Sequence, residues 1–278
     1  MSLSQYVHPE VLVDTQWVVD HLSDPKVRLV EVDMTPEVYK AGHIPGAVFW
    51  SATDLLLSDQ HTNFDPVAIE ELLARSGITN DTTAIAYGDH PATGGWIFWL
   101  LKVFGHRDVR VLNGGRQKWI AEGHPLTTEP PIITPTAYHA QAPDPSLRAS
   151  REYVQESIGQ TERVLLDVRT AQEYSGEWFY DKPPEGTERG GHIPGAVHID
   201  CELALNEDGT FKPIDALQSL YNGKGITADK EAIAYCAVGA RSGYTWFVLK
   251  YLLGYPKVRN YDGSWNEWSR NPAMPIDN

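Results

Sequence analysis

Apolar and polar positions alternate along the chain in blocks that predict strands and helices in turn. The uncharged run AIAY, present at 84–87 and at 232–235, is typical of a strand buried on both faces of a parallel sheet. VAIEELLARSG at 67–77 and IDALQSLYNG at 214–223 have apolar residues at helical spacing and end near glycine. Strands that alternate with helices predict an α/β fold, with a mostly parallel central sheet flanked by helices.

The same order of elements occurs twice along the chain. GHIPGA is found at 42–47 and at 191–196, and four motifs recur in one order with a shift of 148 or 149 positions. The other three pairs are AIAY with AIAY, RSGIT at 75–79 with GKGIT at 223–227, and VRVLNGGRQKW at 109–119 with VRNYDGSWNEW at 258–268. Ordered matches at one shift indicate a tandem duplication into two α/β domains.

Proline marks the boundary between the two copies. Residues 128–147 hold five prolines, which predicts an extended linker. We therefore expect a first domain over 1–127, the linker over 128–147 and a second domain over 148–278. In each copy an apolar strand ends near an aspartate, and the alignment matches Asp33 with Asp167.

Composition and charge limit the class of protein. The 278 residues are 42% hydrophobic and 22% charged, as in a globular protein, and no apolar run approaches the ~18 residues of a membrane span. The net charge of -14 argues against nucleic acid and anionic membranes as partners. The N-terminal stretch lacks a secretory signal, and the two cysteines form no CxxC pair, so we expect reduced thiols in a cytoplasmic protein. We expect no metal and no organic cofactor.

Comparison of the two copies distinguishes residues that serve the fold, which should occur in both, from residues that serve catalysis, which can occur in one. His43 and His192 occur in both copies of GHIPGA, which favours a structural hydrogen bond. Cys236 occurs in the second copy only, because Gly88 stands at the matching position of the first. The other cysteine, Cys201, has no glycine loop or arginine beside it, and we interpret it as structural. The second copy is therefore expected to hold the reactive group.

The sequence around Cys236 predicts an anion-binding loop. Cys236 follows a buried strand and precedes a helix, which is where open α/β sheets bind ligands. Backbone N–H groups of such a loop, together with a helix N-terminus, stabilise a thiolate and so activate it as a nucleophile. The residues expected to form this cradle and to bind the substrate are Ala237, Val238, Gly239, Ala240 and Arg241. Among them, Gly239 is expected to allow backbone angles that other residues resist.

Taken together, the tandem copies, the paired GHIPGA motifs, the loop from Cys236 to Arg241 and the closing YDGSWNEW resemble the two-domain rhodanese family of sulfurtransferases. The resemblance extends over nearly the whole chain. It implies two rhodanese-like α/β domains, an inactive first and a catalytic second. It also implies that Cys236 takes a sulfane sulfur from a small-molecule donor, becomes a persulfide, and passes the sulfur to cyanide or another thiophilic acceptor.

The sequence leaves open which compound donates the sulfur. Thiosulfate users of the family tend to have basic loops and mercaptopyruvate users neutral ones, but here Ala237 follows the cysteine and only Arg241 is basic. We favour thiosulfate, with 3-mercaptopyruvate as the alternative. Arg189, just before the second GHIPGA, resembles an arginine that related enzymes use for the donor, although Lys40 stands at the matching place of the first copy.

Two further hypotheses belong to other classes of protein. Cysteine phosphatases place five residues between cysteine and arginine, whereas this loop has four, so a phosphatase is disfavoured. A persulfide carrier or redox-responsive binding module is the non-enzymatic alternative. The sequence does not predict the oligomeric state or the physiological acceptor.

Overall fold

The first domain is built on five short strands with helices between them. The computed structural model describes residues 5–278. The strands are β1 (Leu12–Val13), β2 (Val27–Asp33), β3 (Val48–Ser51), β4 (Thr83–Tyr87) and β5 (Val109–Leu112). The helices are α1 (Thr15–His21), α2 (Glu37–Ala41), α3 (Pro66–Arg75), α4 (Ala92–Val103) and α5 (Gly115–Ala121). The strand order is β1-β5-β4-β2-β3, and all neighbouring strands are parallel.

The second domain repeats this design with four strands. They are β6 (Arg163–Asp167), β7 (Val197–His198), β8 (Glu231–Tyr235) and β9 (Val258–Asn260), in the order β7-β6-β8-β9 and again parallel. The helices are α6 (Arg151–Ser157), α7 (Ala171–Tyr174), α8 (Ile214–Asn222), α9 (Ala240–Phe247) and α10 (Ser264–Arg270), and a π-helical turn, Val248–Leu252, continues α9. The predicted α/β fold with two parallel sheets is confirmed.

The proline-rich segment runs along the first domain as an ordered extended chain. Within residues 128–144 the backbone forms no helix or strand, and a single turn of 3-10 helix follows at Pro145–Leu147. The N–H of Gln141 donates to Phe104 O at 3.0 Å, and the N–H of Thr136 donates to Ala74 O at 3.0 Å. A proline-rich extended chain forms no hydrogen bonds between its own backbone groups, and these contacts with the first domain satisfy some of them instead.

The two histidines of GHIPGA hold the turn that follows α2 and its counterpart in the second domain. His43 Nδ1 is 3.0 Å from Tyr39 O, and His192 Nδ1 is 3.0 Å from Tyr174 O. Each imidazole also stacks on that tyrosine ring, with centroids 3.8 Å apart in both domains. The expectation of a structural role for these histidines is confirmed.

A buried carboxylate and arginine pair recurs in both domains, and it corrects one match made from the sequence. Arg169 Nη2 donates to Asp167 at 2.6 Å and to Gly191 O at 2.8 Å. In the first domain Arg116 binds Glu31 and the matching carbonyl of GHIPGA. Glu31 is the partner of Tyr87 in the sheet register, as Asp167 is of Tyr235. The counterpart of Asp167 is therefore Glu31, not Asp33, because the two strands end at different residues.

The domains pack together through α4 and α9, with equivalent glycines at the crossing. A Cβ added at Gly95 would lie 3.0 Å from Tyr244 Cα, and one added at Gly243 would lie 3.3 Å from Trp96 Cα. Gly95 and Gly243 are 148 positions apart, as are Trp96 and Tyr244, so the contact has approximate two-fold symmetry. Residues of both domains consequently share one hydrophobic core. No helix within residues 5–278 combines the length and apolar character that crossing a bilayer requires.

Candidate active site

Cys236 lies at the carboxyl edge of the second sheet. It comes directly after β8, and α9 begins four residues later at Ala240. Only 1% of Cys236 is exposed, so the thiol lies at the bottom of its loop rather than on the surface. The site has the position that open parallel sheets use for ligands.

Three donors point at the sulfur, and the most distant is the Ser264 hydroxyl, 3.9 Å from Cys236 Sγ. The N–H of Gly239 donates to Cys236 Sγ at 3.1 Å, and the hydroxyl of Ser242 lies 3.5 Å from the same atom. The N–H of Cys236 itself donates to Ser264 Oγ at 3.0 Å. Backbone and hydroxyl donors aimed at one atom stabilise negative charge there. Ser242 belongs to the first turn of α9, so the positive end of that helix dipole also lies beside the sulfur.

Gly239 is required by the backbone of this loop. Its φ is +91°, a left-handed value that residues with a side chain rarely adopt. A Cβ there would also lie 2.7 Å from Asp262 O, which is too close for any side chain. The interpretation of Gly239 as a conformational requirement is confirmed. Its N–H is the predicted cradle donor that contacts the sulfur; inward N–H groups at the other loop positions stay a prediction.

The carbonyl groups of the loop are tied to α10 and β9. Trp265 N–H donates to Cys236 O, and Asn266 N–H donates to Ala237 O, both at 2.9 Å. Asn260 Nδ2 donates to Gly239 O at 3.1 Å. With their carbonyls turned outward onto these donors, loop residues can direct N–H groups toward the sulfur.

Arg241 lies behind the loop in a close ion pair with Glu173 of α7. Its two terminal nitrogens donate to the two carboxylate oxygens, each at 2.7 Å. Burial by itself disfavours the charged guanidinium, but the hydrogen bonds with Glu173 and the electrostatic effects of Cys236 and Glu173 together outweigh it, and the pKa of Arg241 is raised. Burial likewise opposes the charge of Glu173, yet the hydrogen bonds and positive charge of Arg241, together with the Thr170 N–H and the charge of Arg169, leave the pKa of Glu173 lowered. From the sequence, the positive charge of Arg241 was expected to bind the sulfur donor. In the structure Glu173 largely balances that charge.

Arg189 has a different set of partners from those expected of a donor-binding residue. Its guanidinium donates to four backbone carbonyls at the end of α10 and just beyond it: Trp268, Ser269, Asn271 and Met274. The four acceptors engage Nε and both terminal nitrogens. This arrangement holds the C-terminal segment against the loop before GHIPGA. It favours a structural role for Arg189, because helix-end carbonyls already occupy its donors.

Ser242 and Ser264 are site residues that the sequence analysis missed. Ser264 is fully buried and has a φ of +52°, although it is not glycine. In the first domain glycine stands at both matching positions, Gly94 and Gly115, and Gly115 has nearly the same φ of +56°. Comparing the two copies residue by residue beyond the cysteine would have found both serines.

The first domain contributes residues beside the site. His90 Nε2 pairs with Glu202 Oε1 at 2.8 Å, across the domain boundary. The hydrogen bond with Glu202 raises the pKa of His90. On the other side, Asn266 Nδ2 donates to Asp59 O at 2.9 Å. Both copies of the repeat therefore contribute residues around the loop that carries Cys236, including the copy without a cysteine.

The sequence matches the Rhodanese-like domain twice, over residues 14–122 and over residues 150–271. The chain belongs to the rhodanese family. It is 48% identical to the "Sulfur carrier protein TtuD" of Thermus thermophilus over 98% of both chains. It is 42% identical to a "Putative thiosulfate sulfurtransferase" of Saccharopolyspora erythraea, over 97% of this chain and 96% of that protein.

A solved structure extends the comparison to three dimensions. The rhodanese described here superposes on EanB, in a form with a cysteine persulfide and ergothioneine, with a TM-score of 0.88. The match covers 98% of this chain and 71% of that one at 26% identity. With relatives named for carrying and transferring sulfur, the protein is assigned to the sulfurtransferases of this family.

Proposed function

We propose that the protein transfers a sulfane sulfur from thiosulfate to cyanide or another thiophilic acceptor, through a persulfide on Cys236. The observation that supports this most directly is the 3.1 Å hydrogen bond from the Gly239 N–H to Cys236 Sγ. A donor held at that distance by a left-handed glycine favours a charged sulfur. The nearby Ser242 hydroxyl adds a second donor to the same atom.

The proposed cycle has two displacements. The Cys236 thiolate attacks the outer sulfur of thiosulfate, a sulfur–sulfur bond forms, and the bond to the sulfonate sulfur breaks. The electron pair leaves with sulfite, and the protein keeps a persulfide anion. Cyanide then attacks the terminal sulfur, thiocyanate leaves, and the thiolate returns. Charge and atoms balance in both steps without an added oxidant or reductant.

In this proposal Arg241 supports the loop electrostatically, while its pair with Glu173 sets its position. The Gly239 N–H, together with the predicted inward N–H groups of Ala237, Val238 and Ala240, would stabilise both the thiolate and the persulfide. Arg189 contributes to the fold of the segment around the site rather than to the donor, given its four carbonyl acceptors.

A second candidate is a persulfide carrier that hands its sulfur to another protein. The name of the relative at 48% identity, a sulfur carrier, is the observation that favours it. A carrier would load one sulfur per chain and turn over slowly with small acceptors. An efficient sulfurtransferase would release thiocyanate over many cycles.

The test measures thiocyanate formed from thiosulfate and cyanide. The wild type and Cys201→Ala, which removes the other thiol, should form thiocyanate, and Cys236→Ser should form none. Intact mass after thiosulfate alone should increase by about 32 Da, one sulfur, in every variant that keeps Cys236. Loading without turnover would favour the carrier, and neither loading nor turnover would overturn the proposal. A higher kcat/KM with 3-mercaptopyruvate than with thiosulfate would overturn the choice of donor.

A further inference from the structure

The backbone of Cys236 and Ala237 is bound by three consecutive residues at the start of α10. The N–H of Cys236 donates to Ser264 Oγ at 3.0 Å. The carbonyl of Cys236 accepts from Trp265 N–H, and the carbonyl of Ala237 accepts from Asn266 N–H, both at 2.9 Å. Any movement of this turn of α10 therefore moves the chain that carries the reactive thiol.

Asn266 is the member of this group whose side chain crosses to the first domain. Its Nδ2 donates to Asp59 O at 2.9 Å. Its Oδ1 accepts from Arg270 Nε at 2.8 Å and from the Tyr180 hydroxyl at 3.2 Å. A carbonyl only accepts and an arginine Nε only donates, so these partners define the orientation of the amide. With 2% of Asn266 exposed, one buried amide joins the first domain to the loop of Cys236.

The carbonyl of Asp59 lies at the tip of a tight turn in the first domain. An antiparallel bridge closes residues 56–62 into this hairpin turn. Within it Leu57 N–H donates to His61 O at 2.7 Å, and Gln60 N–H donates to Leu57 O at 2.9 Å. Gln60 has a left-handed φ of +69°, which persists in a residue with a side chain only where the surroundings impose it. The acceptor therefore has a defined position, so it can orient Asn266 rather than follow it.

The second domain has a matching turn over 205–211, closed by the same kind of bridge. Gly209 stands there at the position of Gln60, with a left-handed φ of +75°. The tip of this turn contacts α5 of the first domain, where Asp208 pairs with Lys118 at 3.0 Å. Each domain therefore presents one hairpin tip to the other.

The two tips have unlike partners. The residue that matches Asn266 is Gln117, which is exposed and donates to the Asp89 carboxylate at 2.6 Å, within its own domain. Half of the Asp208 side chain is exposed, so solvent screens the ion pair at the second tip. Asn266 is buried and binds the reactive loop through its own N–H. The two copies thus differ at this contact as they do at Cys236.

We propose that Asn266 is a positioning residue through which the first domain holds the loop of Cys236 in its reactive geometry. The tip of the first hairpin turn fixes the amide of Asn266, and the N–H of the same residue fixes the carbonyl of Ala237. The inference rests on the proposed function, since both displacements need the sulfur held against the Gly239 N–H. It gives the domain without a cysteine a direct part in the geometry of the reaction.

The test compares Asn266→Asp, Asn266→Ala and the control Asp208→Ala in the full chain. Aspartate keeps an oxygen that accepts from Tyr180 and Arg270. It has no amide donor for Asp59 O, so Asn266→Asp removes the interdomain bond alone. Alanine removes the bonds within the second domain as well. Asp208→Ala removes the contact of the other hairpin tip, which does not involve the reactive loop.

Both Asn266 variants should lower kcat for thiocyanate formation about ten-fold, because the sulfur is no longer held in line for either displacement. The added charge of aspartate repels thiosulfate and so acts on KM, which is why kcat is the quantity compared. Hydrogen exchange should be about ten-fold faster in the peptide that covers residues 237–241 and unchanged in the peptide that covers β4. Asp208→Ala should keep the wild-type kcat and the wild-type exchange at 237–241.

Each result supports or overturns the inference. Wild-type kcat or wild-type exchange in Asn266→Asp overturns it, because the interdomain bond would then be dispensable. Faster exchange at β4 as well as at 237–241 would assign Asn266 to global stability, and an equal loss in Asp208→Ala would assign the effect to domain docking in general; both overturn it. No thiocyanate from the wild type would overturn the proposed function, while exchange at 237–241 would still decide the role of Asn266.

Discussion

Glu173 and Arg241 meet through two hydrogen bonds of 2.7 Å, one to each carboxylate oxygen. Glu173 is also the third helical residue of a capping box, in which its carboxylate accepts from the N–H of Thr170. The Glu173 side chain therefore caps the N-terminus of α7 and also holds Arg241 in position next to the Cys236 loop. Because the side chain of Glu173 is only 2% exposed, the pair is poorly screened by solvent.

Glu173→Gln should lower the free energy of unfolding by about 3 kcal/mol, because it leaves the Arg241 charge without its partner. Glutamine still completes a capping box, so the variant isolates the charge. Thr170→Ala removes the cap alone and should cost only about 1 kcal/mol. Urea unfolding measures both values, and equal losses in the two variants would show that the ion pair contributes nothing beyond the cap.

The same pair predicts a dependence of stability on pH. The pKa of Glu173 is lower in the folded protein than its ordinary value of 4.5, so the unfolded chain binds the proton more readily. Its contribution is complete above pH 4.5 and is lost as the pH falls through the folded pKa. Unfolding followed between pH 6 and pH 3 should show a shallower acid loss in Glu173→Gln than in the wild type. Parallel curves would contradict the assignment.

Gly239→Ala should reduce sulfur transfer by about 100-fold, because it displaces the N–H of residue 239 from its position against Cys236 Sγ. The new Cβ would collide with Asp262 O, and the loop would have to move. Gly195→Ala is the matched control, since Gly195 also has a left-handed φ, of +75°, but open space around it. Thiocyanate formation measures both, and a similar loss in Gly195→Ala would attribute the effect to backbone strain alone.

Gly95→Ala should destabilise the protein by about 1–3 kcal/mol, because the methyl group would press on the Tyr244 backbone where α4 crosses α9. Helix propensity alone predicts the opposite sign, a gain of about 1 kcal/mol. The sign of the change in urea unfolding therefore decides the matter. Its symmetry mate, Gly243→Ala, should behave in the same way, and a gain in either variant would refute close packing there.

Much of the architecture was predictable because its signals are local. The buried run AIAY, the helical spacing of α3 and α8 and the repeated motifs each lie within a few consecutive residues, and the duplication supplied a second copy of every signal. Cys236 could be singled out because one copy has a thiol where the other has glycine. Gly239 could be identified because a tight loop of small residues needs a left-handed position.

The partners of the charged residues could not be predicted in this way. Arg241 lies 68 positions from Glu173, and Asn266 lies 207 positions from the carbonyl of Asp59 that it binds. Such pairs depend on how far each strand extends and on how the two domains dock, and neither is encoded in local spacing. For the same reason the alignment matched Asp33 with Asp167, while the sheet register makes Glu31 its counterpart.

From the sequence alone it followed that the chain is a duplicated α/β protein, and that Cys236 in its second half is the candidate reactive thiol, since periodicity, repetition and a glycine loop are properties of neighbouring residues. Only the tertiary structure decided which partners the arginines around that loop have. Arg189 donates to backbone carbonyls, and Arg241 is paired with Glu173. The physical reason is that the groups packed around an arginine determine whether its charge is balanced, and chain folding brings these groups together from distant parts of the sequence.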